Sequence, residues 1–196
     1  TVTDANDAPV ITSDGGGSTA SVNASENQTG VTTVTSTDAD SSDVVTYGLT
    51  GGADQGKFAI NASTGALTFQ AAPDFETETD ADTDGAYVVE VTATDDGSGT
   101  LTDVQTITVT VTDANDAPVI TSDGGGATAS VNASENQTAV TTVTSTDADS
   151  SDVVTYGLTG GVDQGKFSIV AATGALTFQV APDLEVPTDA DTDGAY

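Results

Sequence analysis

The chain has 196 residues, and 31 Asp and Glu against two lysines, Lys57 and Lys166, leave a formal charge of −29 at pH 7. Nucleic acid is excluded as a partner, because a phosphate backbone needs a basic surface, and an anionic membrane surface would repel the chain as well. Cys, His, Met and Trp are absent, which removes disulfides, thiolate and imidazole metal ligands and His-based acid–base catalysis.

No apolar run reaches the ~18 residues of a membrane span. No charged-then-apolar leader is visible either, so the expectation is a segment without membrane insertion and without a cleaved signal. Residues 1–87 realign with residues 110–196 at an offset of 109, differing at ten positions: 18, 30, 53, 59, 61, 63, 71, 75, 77 and 78. That period is far longer than the 20 to 50 residues of a solenoid repeat and suits one small sandwich domain. The second copy holds no counterpart of residues 88–109. The expected organisation is a linker from a preceding repeat (1–8), a complete repeat (9–112), a linker (113–117) and a second repeat (118–196) lacking its last two strands.

Along the first repeat, short Val-, Ala- and Thr-rich runs are punctuated by Gly, Asp, Asn and Ser every eight to twelve residues, which favours an all-β sandwich. Strands are predicted at 10–12, 20–22, 31–36, 44–49, 57–61, 66–70, 87–94 and 106–112. Alternation points Val45, Tyr47 and Leu49, then Tyr87, Val89, Val91 and Ala93, then Ile107, Val109 and Val111 into the core. Ser63-Thr64-Gly65 reads as the turn of a hairpin joining the strands of Phe58 and Leu67. A second copy without the last two strands should expose apolar surface and unpaired edges.

The acidity is lopsided, with 25 Asp against six Glu. Short carboxylates placed in turns cap backbone amides or hold hard cations through oxygen. They cluster in recurring motifs: Ser25-Glu26-Asn27, Asp38-Ala39-Asp40, Asp74-Phe75-Glu76, Ala93-Thr94-Asp95, and Asp4-Ala5-Asn6-Asp7-Ala8-Pro9 repeated as Asp113-Ala114-Asn115-Asp116-Ala117-Pro118. Calcium takes six to eight such oxygens at ~2.3–2.6 Å. A further stretch, Asp80-Ala81-Asp82-Thr83-Asp84-Gly85, has the spacing of the first half of an EF-hand loop, but Val91 stands at its twelfth position, where a bidentate Glu is required. It is repeated as Asp189, Asp191, Asp193 and Gly194, and it is either an additional metal loop or a solvated acidic turn.

Taken in this order, with Thr64-Gly65-Ala66-Leu67-Thr68 between them, the motifs resemble the cadherin repeat, and in particular the cadherin-like repeats of large bacterial surface and biofilm adhesins. Ser25 and Ser134 stand where Pro usually precedes the Glu, and Ala8 and Ala117 replace a linker Asn. The resemblance implies an immunoglobulin-like, Greek-key β-sandwich and calcium ions between consecutive domains. Carried over, it implies ligands Glu26, Asp74 and Glu76 from the first repeat, Asp113, Asn115 and Asp116 from the linker, and Asp147 and Asp149 from the second repeat. Asp4, Asn6, Asp7, Asp38, Asp40 and Asp95 would form a half-site toward a preceding repeat. Glu135, Asp183 and Glu185 would form one toward a following repeat.

The function expected on these grounds is a calcium-binding, extracellular or cell-surface module that stiffens the stalk of a secreted bacterial adhesin and takes neighbouring identical repeats as partners. The alternative is a lectin-like module that binds a polysaccharide or another cell surface directly. No loop offers a nucleophile or base, and nine aromatics suggest no sugar-lined cleft for a carboxylate pair to act in, so no catalytic residue is expected.

Overall fold

Period-two alternation in the first repeat produces the strands it predicts, and their pairing sorts them into two principal sheets. The computed structural model describes residues 5–190 and Tyr196 and divides into two units, Thr1–Ala114 and Asn115–Tyr196. Among the described residues of the first, nine strands follow one another: β1 (Val10–Ile11), β2 (Thr19–Ser25), β3 (Gly30–Thr33), β4 (Ser36–Thr37), β5 (Thr46–Gly51), β6 (Phe58–Ile60), β7 (Ala66–Phe69), β8 (Ala86–Thr94) and β9 (Thr102–Thr112). One sheet has the order β2-β9-β8-β5 and the facing one β3-β7-β6, with β1 paired to β4. The fold is an all-β, cadherin-type sandwich.

The long hairpin β8–β9 occupies the middle of the four-stranded sheet. Its antiparallel register runs from Ala86↔Thr110 to Thr94↔Thr102, β2 adds to β9 in parallel and β5 adds to β8 antiparallel. Alternate residues of the hairpin, Tyr87, Val89, Val91, Ala93, Ile107, Val109 and Val111, point inward and are buried. They meet Phe58, Leu67 and Phe69 of the facing sheet and Ile11 of β1. Phe58 stacks on Phe69 with centroids 4.7 Å apart, and Tyr87 meets Phe69 edge-on at 5.2 Å. Val45, Tyr47 and Leu49 pack on this core from the sheet edge while staying half-buried.

Where the strands differ from expectation, a partner explains the difference. The run 31–36 divides, because β3 pairs with β7 whereas β4 pairs with β1. Val34 lies fully buried at the crossing and donates its N–H to Gly65 O at 2.8 Å. The strand at 20–22 lengthens to Thr19–Ser25 because β9 offers it a full row of backbone partners, and the one at 106–112, β9 itself, begins at Thr102 because β8 pairs with it that far. The strand expected at 44–49 is displaced to Thr46–Gly51, opposite β8. The predicted 63–65 turn closes the β6–β7 hairpin. Asn61 Oδ1 accepts the Ser63 and Thr64 N–H groups at 3.0 Å each, and Gly65 takes φ +69, where a Cβ would collide with the Val34 carbonyl. The short 3-10 turns at Ser13–Gly15 and Gln55–Lys57 leave no periodic trace in the sequence.

The second unit repeats β1, β3, β4, β6 and β7 as β10 (Val119–Ile120), β11 (Ala139–Thr142), β12 (Ser145–Thr146), β13 (Phe167–Ile169) and β14 (Ala175–Phe178). Pairing is conserved in kind, β10 with β12 and β11-β14-β13. The stretches matching β2 and β5, residues 128–134 and 155–160, carry the same residues as in the first unit yet form no strand. Their partners in the first unit are β9 and β8, and these 196 residues include no second copy of residues 88–109. Ile120, at 50% exposure against 1% for Ile11, shows what the core loses.

Since Ile107 is fully buried at the centre of the hairpin, Ile107→Ala should destabilise the first unit by about 2–5 kcal/mol. Urea unfolding followed by circular dichroism measures this, and a loss under ~1 kcal/mol would mean that β9 is not the centre of the core.

Candidate metal centre

The parallel register of β2 with β9 decides what stands at one end of the sheet. Ser25 is opposite Thr112, so the next residues, Glu26 and Asp113, leave the sheet together. Glu26 is 2% exposed. Its carboxylate is gripped by two backbone donors, Ala114 N–H on Oε1 at 2.8 Å and Phe75 N–H on Oε2 at 2.7 Å. The second bond draws in the 74–76 loop, and carboxylate oxygens of Glu26, Glu76 and Asp113 come within 4.8 Å of one another. Asp74, expected in the same set, is outside this group of three and accepts the Thr77 N–H at 2.9 Å. In the second unit a different trio converges, Glu135, Asp183 and Glu185, the counterparts of Glu26, Asp74 and Glu76, all exposed. A hydrogen bond with its own backbone lowers the Glu185 carboxyl, yet the Glu135 charge and a hydrogen bond with Asp183 hold it above the ordinary value.

At the other end of the first unit, the β8–β9 turn supplies candidate ligands. Asp95 follows β8, is 3% exposed, and accepts the Gly97 and Leu101 N–H groups on Oδ1 at 3.1 and 3.0 Å. Its Oδ2 receives the Asn6 amide at 3.0 Å. Asp7 N–H donates to Asp40 Oδ2 at 2.6 Å, and Asp40 N–H to Asp38 Oδ1 at 2.9 Å. Asp4 lies outside the described residues. In the second unit the same pattern recurs: Asp116 N–H donates to Asp149 Oδ2 at 2.6 Å and Asp149 N–H to Asp147 Oδ1 at 3.2 Å, while Asn115 Nδ2 donates to Asp116 O at 2.8 Å.

Two carboxylates in this region were not singled out from the sequence. Asp96 Oδ1 accepts the Val44 N–H at 2.7 Å. Asp43 is held above the ordinary carboxylate value by burial, with the charges of Asp40, Asp96 and Asp38 adding to the rise against a hydrogen bond from Ser42. Gly97 leaves room for them, since a Cβ there would overlap Asn6 Oδ1 and Asp43 Oδ2. The run Asp95-Asp96-Gly97 was the available signal. Among the described residues, Asp38 Oδ2 and Asp43 Oδ2 are buried with no hydrogen-bond partner. Buried anionic oxygens left unpaired beside further carboxylates are the donor set of a hard divalent cation, so this chemistry fits calcium.

The acidic loop at 80–85 also brings Asp80, Asp82 and Asp84 within 4.8 Å of one another. Asp80 is buried and receives Asp84 N–H at 2.9 Å and Gly85 N–H at 3.3 Å. Burial raises its carboxyl, and these backbone donors more than offset the rise, leaving it below the ordinary value. The Asp84 charge, followed by burial, pushes Asp82 up. Val91, at the twelfth position, is fully buried in the core, so the loop draws no ligand from there. It is pinned instead by Asp54, a buried carboxylate absent from the sequence reading. Asp54 accepts the Ala81 and Val88 N–H groups at 2.7 and 2.9 Å. Of the second copy of this loop, Asp189 is buried, while Asp191, Asp193 and Gly194 lie outside the described residues.

Asp43→Asn removes one charge from this cluster and keeps its shape. In chelator at low ionic strength the variant should melt higher than the parent, while its calcium affinity falls roughly tenfold or more. Differential scanning calorimetry and calcium titration check the two halves, and a variant that melts lower in chelator would show that Asp43 is not an uncompensated charge.

Residues 18–112 match the family model described as the Cadherin domain. No match to a curated protein was found. Among solved structures, the chain is similar to human CDH23 EC21-23, with 24% identity, a TM-score of 0.50, and coverage of 94% of this chain and 58% of that one. It is similar as well to human Protocadherin-24 EC1-2, with 22% identity, a TM-score of 0.50, and coverage of 90% and 79%. At these identities the likeness concerns the fold. Protocadherin Gamma B2 extracellular cadherin domains 3-6 also match, with 25% identity, a TM-score of 0.49 and coverage of 93% of this chain; the chain spans 45% of the length of that structure. Cadherin domains are calcium-dependent adhesion modules rather than enzymes, and residues 18–112 of this chain form a cadherin-like module.

Proposed function

We propose that this chain is part of the stalk of a secreted bacterial surface adhesin, where calcium stiffens the junctions between cadherin-like repeats and neighbouring repeats are the immediate partners. The repeats would be residues 9–112 and 118–196, with linkers at 1–8 and 113–117. The observation that carries this reading is the convergence of Glu26, Glu76 and Asp113 at the end of β9, directly before the linker. Asp74, Asn115, Asp116, Asp147 and Asp149 complete the proposed ligand set. Asn6, Asp7, Asp38, Asp40 and Asp95, with Asp4 and the additional carboxylate Asp43, would hold the equivalent ions toward a preceding repeat.

The physical basis is charge. Residues 1–109 carry 14 Asp and four Glu against Lys57, so two such bodies repel each other across a short linker. Ions that take oxygens from both bodies and from the linker replace that repulsion with shared metal–oxygen bonds, and bending would then require stretching them. Near-identical copies suit a spacer, which needs length and repetition. Cell-surface placement follows from the same reading, since millimolar calcium is an extracellular condition and extracellular modules bind it at ~0.1–1 mM. No helix among the described residues is long and apolar enough to cross a membrane.

Small-angle scattering of a chain carrying two complete repeats tests the stiffening. With calcium the maximum dimension should narrow to that of an extended rod, and Asp116→Ala should leave it as broad as in chelator, because the substitution removes a bridging ligand and no buried apolar contact. Identical scattering with and without calcium in the parent would remove the basis for a calcium-stiffened junction.

A further inference from the structure

We infer that the open edge of β2 in the first unit docks the β2 of a second copy of this chain, antiparallel about Val22, so that two four-stranded sheets join into one. The inference does not depend on calcium or on the stalk reading. It rests on which backbone groups β9 leaves free. Thr106 N–H donates to Ser18 O at 2.9 Å and Glu26 N–H to Thr112 O at 3.1 Å, and the parallel register between them is unbroken. Ala20, Val22 and Ala24 therefore turn their N–H and C=O groups to β9, and Thr19, Ser21, Asn23 and Ser25 turn theirs outward. Nothing pairs on that side, since β2 ends the order β2-β9-β8-β5. Among the described residues, no hydrogen bond engages the backbone of these four.

The other edges of the two principal sheets are each guarded. At β5, Tyr47 N–H donates to Ala62 O and the Gln55 amide to Leu49 O, both at 2.9 Å. At β6, the Gln70 amide caps Phe58 O at 2.9 Å. β3 carries a register shift between Gly30 and Thr32. Bulges, caps, charges and prolines are the devices that keep an exposed edge from pairing. β2 has none of them: Thr19-Ala20-Ser21-Val22-Asn23-Ala24-Ser25 contains no charged residue, no Pro and no Gly, and Thr19, Ser21 and Asn23 are exposed.

A second copy is the occupant because this edge is complementary to itself. With Val22 opposite Val22 of the second copy, Thr19 faces Ser25 and Ser21 faces Asn23, in both directions, which closes about eight N–H···O bonds. A shift by one residue would set outward groups against groups already bonded to β9. On the core side Ala20 meets Ala24, and Val22, half-buried against the core, is covered by its own counterpart. Each β2 keeps its place on β9, so no strand is exchanged, and the two-fold uses up both edges and stops the assembly at two. Charge favours the same contact: the candidate ligand carboxylates gather in loops at the ends of the sandwich, while β2 carries none. Two such acidic bodies meet here with the least repulsion, and pairing should strengthen with ionic strength. An edge of seven residues is small beside a standard interface, so the dimer is a weak and rapidly exchanging one.

The test is sedimentation equilibrium of the full chain at high ionic strength, from micromolar to millimolar concentration. The proposal expects a reversible monomer–dimer equilibrium that Ser21→Pro and Asn23→Lys each weaken about tenfold or more. Proline at 21 removes an N–H that β9 does not use, and Asn23→Lys carries the comparison if the proline variant melts lower. Because the chain has no cysteine, single cysteines read the register. Val22→Cys should form disulfide dimers about tenfold faster than Asn23→Cys, since only residue 22 faces itself across the two-fold. Mixing Ser21→Cys with Asn23→Cys should give chiefly mixed dimers. Exposure alone predicts the opposite order, because Asn23 is exposed and Val22 half-buried. A chain that stays monomeric overturns the proposal and leaves a strand of another protein as the occupant of the edge. Dimerisation unchanged in the Asn23→Lys variant, or cross-linking at 23 as fast as at 22, overturns it as well.

Discussion

The pairing of β8 with β9 is the interaction on which the rest of the structure depends. A strand presents a row of donors and acceptors that must be met, and in the first unit this hairpin meets those of β2 on one side and β5 on the other. It also supplies seven buried core side chains, Tyr87, Val89, Val91, Ala93, Ile107, Val109 and Val111. The second unit shows the dependence from the other direction. The same residues occupy the positions of β2 and β5, and without the hairpin they are not strands. The short hairpin pairing β13–β14 and its stacked phenylalanines persist because their contacts are local.

The same hairpin places candidate ligands at both ends of the sandwich. Asp95 follows β8 and Asp113 follows β9, while the parallel alignment of β2 sets Glu26 beside Asp113. Backbone N–H groups then fix each carboxylate: Ala114 and Phe75 on Glu26, Gly97 and Leu101 on Asp95. Such bonds orient oxygens without neutralising them. The negative charge is thus gathered at loops whose geometry is set by the core, and the unpaired Asp38 Oδ2 and Asp43 Oδ2 mark where hydrogen bonding alone does not complete the arrangement. Core and ligand set are coupled through one element, so a cation bound at either end favours the state in which the sheet is formed.

Much of this was legible in the sequence. Alternation in Tyr87 to Ala93 and Ile107 to Val111 identified the core strands, because period two has one physical meaning when one face is buried. Glu26, Glu76 and Asp113 were legible only through a recurring order of motifs, since nothing in their spacing of tens of residues reveals the parallel register that joins them. Asp43 and Asp54 were not legible for a related reason: each is an isolated Asp in a polar stretch, and the surroundings of its carboxylate are a product of tertiary contacts with residues 96–97 and 81–88. The division of the 31–36 run between two sheets was also invisible, because changing sheets alters partners and leaves the apolar pattern intact. Asp74, assigned with Glu76 by motif, accepts the Thr77 N–H on Oδ1, a local turn contact of the kind that short acidic side chains often make.

The central claim is that these carboxylates are arranged to hold calcium. Its most direct test is the melting temperature of the chain in millimolar calcium and in chelator, at fixed ionic strength so that screening alone contributes equally. Binding to the folded state adds about 2.7 kcal/mol at a hundredfold excess over Kd, so the account predicts that the first unit melts several degrees higher in calcium and that the gain follows calcium concentration. A transition at the same temperature in both solutions would contradict it, and would leave the acidic loops as solvated turns.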